Sequence, residues 1–188
     1  NLNTFRYLEK KAKVPFTFLD VPYADDVDSI SYLADQLRQL AKTLEERTGR
    51  KFQEEQLKEI LRTENETRAE LMKFFDYQKT YYYPGELISH LYMMMGMHLL
   101  IGTREFLDLI RFMNEEIQKA PLFEGKRILW IHLMPFYQES LKKYFNSSKK
   151  YQIIASDIIL DFMEELDAEH PFEALARKII KNLYNGSY

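Results

Sequence analysis

"RILWIHLMPFYQESLKKYFNSSKKYQIIAS", residues Arg127–Ser156, decides the fold. Its two ends, "RILWIHL" and "YQIIAS", are short apolar runs rich in β-branched and aromatic residues, the signature of largely buried strands. Between them "PFYQESLKKYF" opens on Pro135, a residue suited to the first turn of a helix. A strand, a helix and a second strand in that order form a βαβ unit, whose strands lie parallel.

Working outward, Phe172, Leu175, Ala176, Ile179 and Leu183 recur at helical spacing after Pro171, with Gly186 as the expected stop. Upstream, "FTFLDVPYADD", residues Phe16–Asp26, reads as a third strand over Val14–Tyr23 that Pro22 closes. Asp25, Asp26 and Asp28 then favour a helix N-terminus, and Ile30, Leu33, Leu37, Leu40 and Leu44 trace its apolar stripe to Gly49. Leu57, Ile60, Leu61, Arg68, Leu71, Met72 and Phe75 trace a second helix, broken after Tyr81-Tyr82-Tyr83 by Pro84 and Gly85. A Met-rich buried helix and a helix through Phe106, Leu109, Ile110, Met113 and Ile117 complete the block before Pro121. The expected fold class is therefore α/β and helix-rich, with a small parallel sheet built on a Rossmann- or flavodoxin-like βαβ unit and an inserted helical block. Its parts are a leading strand over 1–24, the helical block over 25–120 and a β-α-β-α lobe over 121–188. Three strands make a thin parallel sheet, so further strands are expected outside this sequence.

Composition narrows the chemistry. With 188 residues, 46% hydrophobic and 29% charged, the chain can bury a sizeable core. Its net charge of −3, with basic and acidic residues interspersed, offers no nucleic-acid surface and no polybasic membrane patch. The most apolar window, Leu87–Ile101, is shorter than the roughly 20 residues a span needs. There are no cysteines, which excludes disulfides, thiolate nucleophiles and any cysteine-held cluster within the chain. The start lacks Met and a signal-like apolar region, so the sequence is expected to be a fragment of a cytoplasmic protein. Asn-x-Ser/Thr triplets at Asn65, Asn146 and Asn185 carry no weight without a secretory signal.

Two strand ends resemble each other: Asp20-Val21-Pro22-Tyr23 and His132-Leu133-Met134-Pro135-Phe136-Tyr137. Ligands of open α/β sheets bind beyond the carboxyl ends of strands, which makes Asp20, Pro22, Tyr23, His132, Met134 and Tyr137 cleft candidates. The competing reading gives Asp20 a turn cap and His132 one buried hydrogen bond. Ser156 and Asp157 read as caps for the following segment. His90 and His98, eight apart, miss the i, i+4 spacing of a helical zinc pair and read as core or interface residues. Met93, Met94, Met95 and Met97 read as core filling. Glu164, Glu165, Asp167 and Glu169 read as a solvated face.

The succession "VPFTFLDVPY", "YLADQLRQLAKTLEERTGRKF", "PGELISHLYMMMGMHLLIGTREFLDLI", "KRILWIHLMPFYQESLKKYF" and "FEALARKIIKNLYNG" resembles the 2-hydroxyacyl-CoA dehydratase family, which also contains the benzoyl-CoA reductase subunits. The resemblance implies a subunit about twice this long that works with a homologous second subunit and an ATP-dependent activator protein. It implies an acyl-CoA substrate, loss of water through a ketyl radical to give an enoyl-CoA, and a 4Fe-4S cluster held by cysteines. Those cysteines are absent, so the chain is similar to the stretch between the second and third ligands. It is expected to hold no cofactor and to be inactive alone. Asp20, Pro22 and Tyr23 match the family's strand-end signature. Two other readings remain open: a benzoyl-CoA-reductase-like acyl-CoA reductase subunit, and a non-catalytic dimerisation or binding module.

Overall fold

The computed structural model describes residues 2–13, 16–132, 135, 137–159, 162 and 164–182. It divides into two compact units, one of residues 1–53 with 172–188 and the other of Glu54–Pro171.

In the first unit α1 (Leu2–Ala12) and α2 (Val27–Thr48) precede α7 (Pro171–Ile180). The expected start and stop of α2 are both present. Asp26 accepts a hydrogen bond from the Ser29 N–H at 2.7 Å, and Gly49 closes the helix at φ 69° with its N–H on Glu45 O. Such a cap contributes about 1 kcal/mol, and the left-handed residue is one that glycine adopts without strain. Ile30, Leu33 and Ala34 are buried. Near α7, Arg38 lies over the Phe172 ring at 5.1 Å and bonds Glu173 at 2.5 Å, while Phe52 meets the same ring at 5.5 Å. Helix α1 has no counterpart in the expected elements. Its aromatic anchor is Phe5, stacked on Phe16 at 5.7 Å.

The second unit holds α3 (Glu54–Gln78), α4 (Leu87–Leu100), α5 (Arg104–Ile117), β1 (Lys126–Trp130), α6 (Glu139–Phe145), β2 (Tyr151–Ser156) and a 3-10 turn over Asp157–Ile159. Strands β1 and β2 pair in parallel through the α6 crossover, so the βαβ unit and the α/β class stand as the spacing predicts. Gly125 enters β1 where a Cβ would meet the backbone oxygens of Lys149 and Lys150 at 2.7 and 2.8 Å. The register shifts between Ile128 and Leu129, so that Trp130 faces Ser156. The core joins Leu71, Phe74 and Phe75 of α3, Leu91 and Met97 of α4, Phe106 and Ile110 of α5, and Ile153 of β2. Full burial of each such side chain contributes roughly 1.5–3 kcal/mol.

Four expectations change. Residues 16–25 form no strand; β1 and β2 pair with each other, and an extended segment without a ladder partner is not a strand. Instead the Asp20 N–H donates to Gln36 Oε1 at 2.8 Å and Gln36 Nε2 donates to Asp20 O at 2.9 Å. One side-chain amide of α2 thus supplies the two bonds a neighbouring strand would. Helix α6 begins at Glu139 rather than Pro135, because its backbone bonding starts when Leu141 and Lys142 donate to Gln138 O. Helix α4 buries Leu87, Leu91 and Met97 but leaves Ile88, Tyr92, Met95 and Leu99 exposed. It is apolar all round while only one face has a packing partner. The alternation of β1 stops before Leu133, since His132 turns the backbone to φ 72°. The Gly186 stop and the side chain of Leu183 lie outside the described residues. Among the described residues no helix is long and apolar enough to cross a membrane.

Candidate functional site

Each strand-end candidate sits in its own setting. In the first unit Asp20 is exposed, its carboxylate accepting from Tyr32 Oη at 3.0 Å while its backbone pairs with Gln36. That hydrogen bond to a carboxylate pushes the Tyr32 pKa up. Pro22 is half-buried and Tyr23 is 88% exposed. Asp20 is therefore held by α2, and its carboxylate keeps acceptor capacity toward solvent.

In the second unit the carboxyl ends of β1 and β2 are tied by one bond, from the His132 N–H to Asp157 Oδ1 at 2.8 Å. A left-handed conformation at a residue other than glycine costs roughly 1–3 kcal/mol and persists where its surroundings fix it. Asp157, the first residue after β2, supplies that fixing. It thereby caps the end of β1, a role beside the one the sequence expectation gave it. Tyr137 is 94% exposed on the connection to α6, and Met134 lies outside the described residues.

Beside this link stands a feature that periodicity does not reveal. Trp130 Nε1, Gln138 Nε2 and Ser156 Oγ are buried and have no hydrogen-bond partner among the described residues. Trp130 and Ser156 face each other as the last residues of their strands, and Gln138 immediately precedes the crossover helix. Ser156 is thus no cap. Leaving such a group unanswered costs about 1–3 kcal/mol, so three at one sheet edge need an explanation. The signal in the sequence was the strand-end rule itself, applied to the last residue of each strand rather than to the residues beyond it.

Elsewhere in this unit, His90 is half-buried beside Tyr83, its ring 6.2 Å from the tyrosine, and loss of hydration there pushes its pKa down to about 4. The two rings line a small, partly open cavity of about 20 Å³, room for one water. His90 is the core histidine that its spacing implies, whereas His98 is exposed. Met93 and Met97 pack in the core, but Met95 is exposed. A groove of about 460 Å³ runs along Asn65, Arg68, Met72 and Glu165. There Arg68, paired with Glu64, donates to Phe162 O and Glu164 O at 3.1 and 2.8 Å. It staples the segment after β2 onto α3.

A parallel βαβ unit with unanswered polar groups at its carboxyl edge makes this part of the chain an α/β lobe. The model of the family described as 2-hydroxyglutaryl-CoA dehydratase, D-component, matches residues 1–186, and the chain belongs to that family. It is similar to the (R)-phenyllactyl-CoA dehydratase alpha subunit of Clostridium sporogenes, with 24% identity over 189 residues. That match takes in 88% of this chain and 45% of the relative, so the chain spans about half the length of the curated relative it matches.

The iron–sulfur cluster that the resemblance implies finds no fit in these residues. The sequence holds no cysteine, and among the described residues no group of three or more His, Asp or Glu side chains could hold a metal ion. An iron–sulfur cluster is held by thiolates.

Proposed function

We propose that this stretch is the substrate-facing α/β scaffold of a 2-hydroxyacyl-CoA dehydratase component, acting in the cytoplasm within a larger assembly. The whole enzyme removes water from a 2-hydroxyacyl-CoA through a ketyl radical to give the enoyl-CoA. A homologous second subunit and an ATP-dependent activator complete the machinery, and cluster-holding thiolates come from sequence other than this. What this chain contributes is position: side chains held by their own backbone and packing contacts that meet the acyl-CoA. Asp20, Pro22 and Tyr23 in one unit, and His132 and Tyr137 in the other, are the positions offered for acyl-CoA contact.

The observation that carries the reading is the family match over residues 1–186 in a chain with no cysteine. The chain alone and the full-length subunit assembled with partner, activator, ATP and a reductant are each given 2-hydroxyacyl-CoA substrates, and enoyl-CoA is quantified by chromatography. Turnover is expected only from the assembly. Stoichiometric iron or enoyl-CoA from the chain alone overturns the division of labour, and an assembly inert toward every 2-hydroxyacyl-CoA overturns the dehydratase reading.

A further inference from the structure

We infer that Trp130 Nε1, Gln138 Nε2 and Ser156 Oγ form a neutral hydrogen-bonding site that takes a carbonyl oxygen of the pantetheine arm of an acyl-CoA. The inference rests on the acyl-CoA reading above and assigns it to named atoms.

The chemistry of the three groups selects the ligand. An indole N–H and an amide NH2 only donate, and a serine hydroxyl donates or accepts, so what answers all three is an acceptor. None of the three is charged. A phosphate is held by charge-assisted bonds from Arg or Lys, whereas a neutral carbonyl matches neutral donors. The Phe145 ring meets Trp130 edge-on at 5.9 Å, so the indole N–H sits beside apolar surface. Neutral donors beside an apolar ring suit a flexible arm that carries two amides and a thioester along an otherwise uncharged chain. The site also lies at the carboxyl edge of the parallel sheet, on the last residue of both strands. Ser156 is 2% exposed and Gln138 5%, so neither group satisfies itself with bulk water. Three of the five buried side-chain polar atoms without a partner among the described residues fall at this one edge, which sets it apart from scattered imperfections of packing.

Trp130 is the only tryptophan in the sequence, so tryptophan emission reads this edge alone. The protein is titrated with pantetheine, with S-acetylpantetheine and with 3′-phospho-ADP, the nucleotide half of coenzyme A, following emission and heat in parallel. A saturable change in emission with either pantetheine compound is expected. A response to pantetheine itself assigns the amide carbonyls, and a response only to the acetylated form assigns the thioester carbonyl. S156A and Q138L are each expected to weaken binding about two- to tenfold while the thermal transition is kept. Should Q138L fail to fold, S156A and the emission titration still decide.

Heat without an emission change places the arm elsewhere and overturns the site, yet leaves the dehydratase reading intact. An equal emission response to 3′-phospho-ADP, or affinities unchanged in both variants, also overturns it. So does the absence of any response in folded protein whose S156A melting temperature falls, the result expected if the three groups hold only a buried water. The dehydratase reading is judged separately, by turnover of the assembled enzyme.

Discussion

The segment through Asp20 and the end of β1 read almost alike in sequence, each an apolar run closing on a polar residue, a proline and a tyrosine, and they fold differently. At Asp20 every backbone group that a strand partner would claim is answered by Gln36, and the carboxylate by Tyr32. At the end of β1 a true parallel partner exists, but the polar side chains of the last residues are left unanswered. The first region spends its polar groups on its own structure, while the second keeps them available. The same strand-end motif therefore builds a sheet edge only where a partner strand lies beside it.

The largest effect expected is a pH dependence of the second unit. His90 has a pKa near 4 in the folded protein because burial disfavours its charged form, against an ordinary value of 6.5. The folded state therefore refuses a proton that the unfolded chain accepts below pH 6.5, and stability falls as pH drops from 6.5 toward 4. The full loss reaches about 3 kcal/mol, and above pH 6.5 the contribution is wholly present. Thermal melts between pH 7 and pH 4 should show this decline, and His90→Gln should flatten it. An unchanged slope in that variant would mean that other groups govern the acid limb.

Next in size is the bond pair that replaces a strand at Asp20. Gln36→Leu removes both hydrogen bonds to the Asp20 backbone and is expected to cost about 1 kcal/mol, the low end for two exposed bonds. Amide exchange over residues 16–25 should accelerate while β1 and β2 keep their protection. Equal acceleration in both places would erase the distinction between the two regions.

The sequence made the βαβ unit, the caps of α2 and the main helical stripes legible because each rests on local rules: period, capping residues and glycine stops. The lack of a strand at 16–25 was not legible, since pairing depends on a partner distant in sequence, and Gln36 gives no local sign that its amide will stand in for a ladder. The exposed face of α4 escaped for a related reason. An apolar helix does not reveal which of its sides has a neighbour. The orphaned groups at Trp130, Gln138 and Ser156 could be placed at a strand end from sequence, but their lack of partners is a property of three-dimensional packing.

The smallest effect tests how the second region is held. His132 adopts φ 72° with its N–H on Asp157. A glycine there relieves the side-chain clash of the left-handed region and loses more entropy on folding, so His132→Gly is expected to stabilise by about 0.5 kcal/mol. Asp157→Ala is expected to lose about 1 kcal/mol, because the N–H it accepts from is left without that carboxylate. In the double variant the two changes should not add: once the backbone at residue 132 relaxes without strain, the carboxylate has less to hold, and the loss from Asp157→Ala should shrink. Strict additivity, measured by urea unfolding of all four proteins, would mean that the turn and the carboxylate act independently and that the two strand ends are joined by proximity alone.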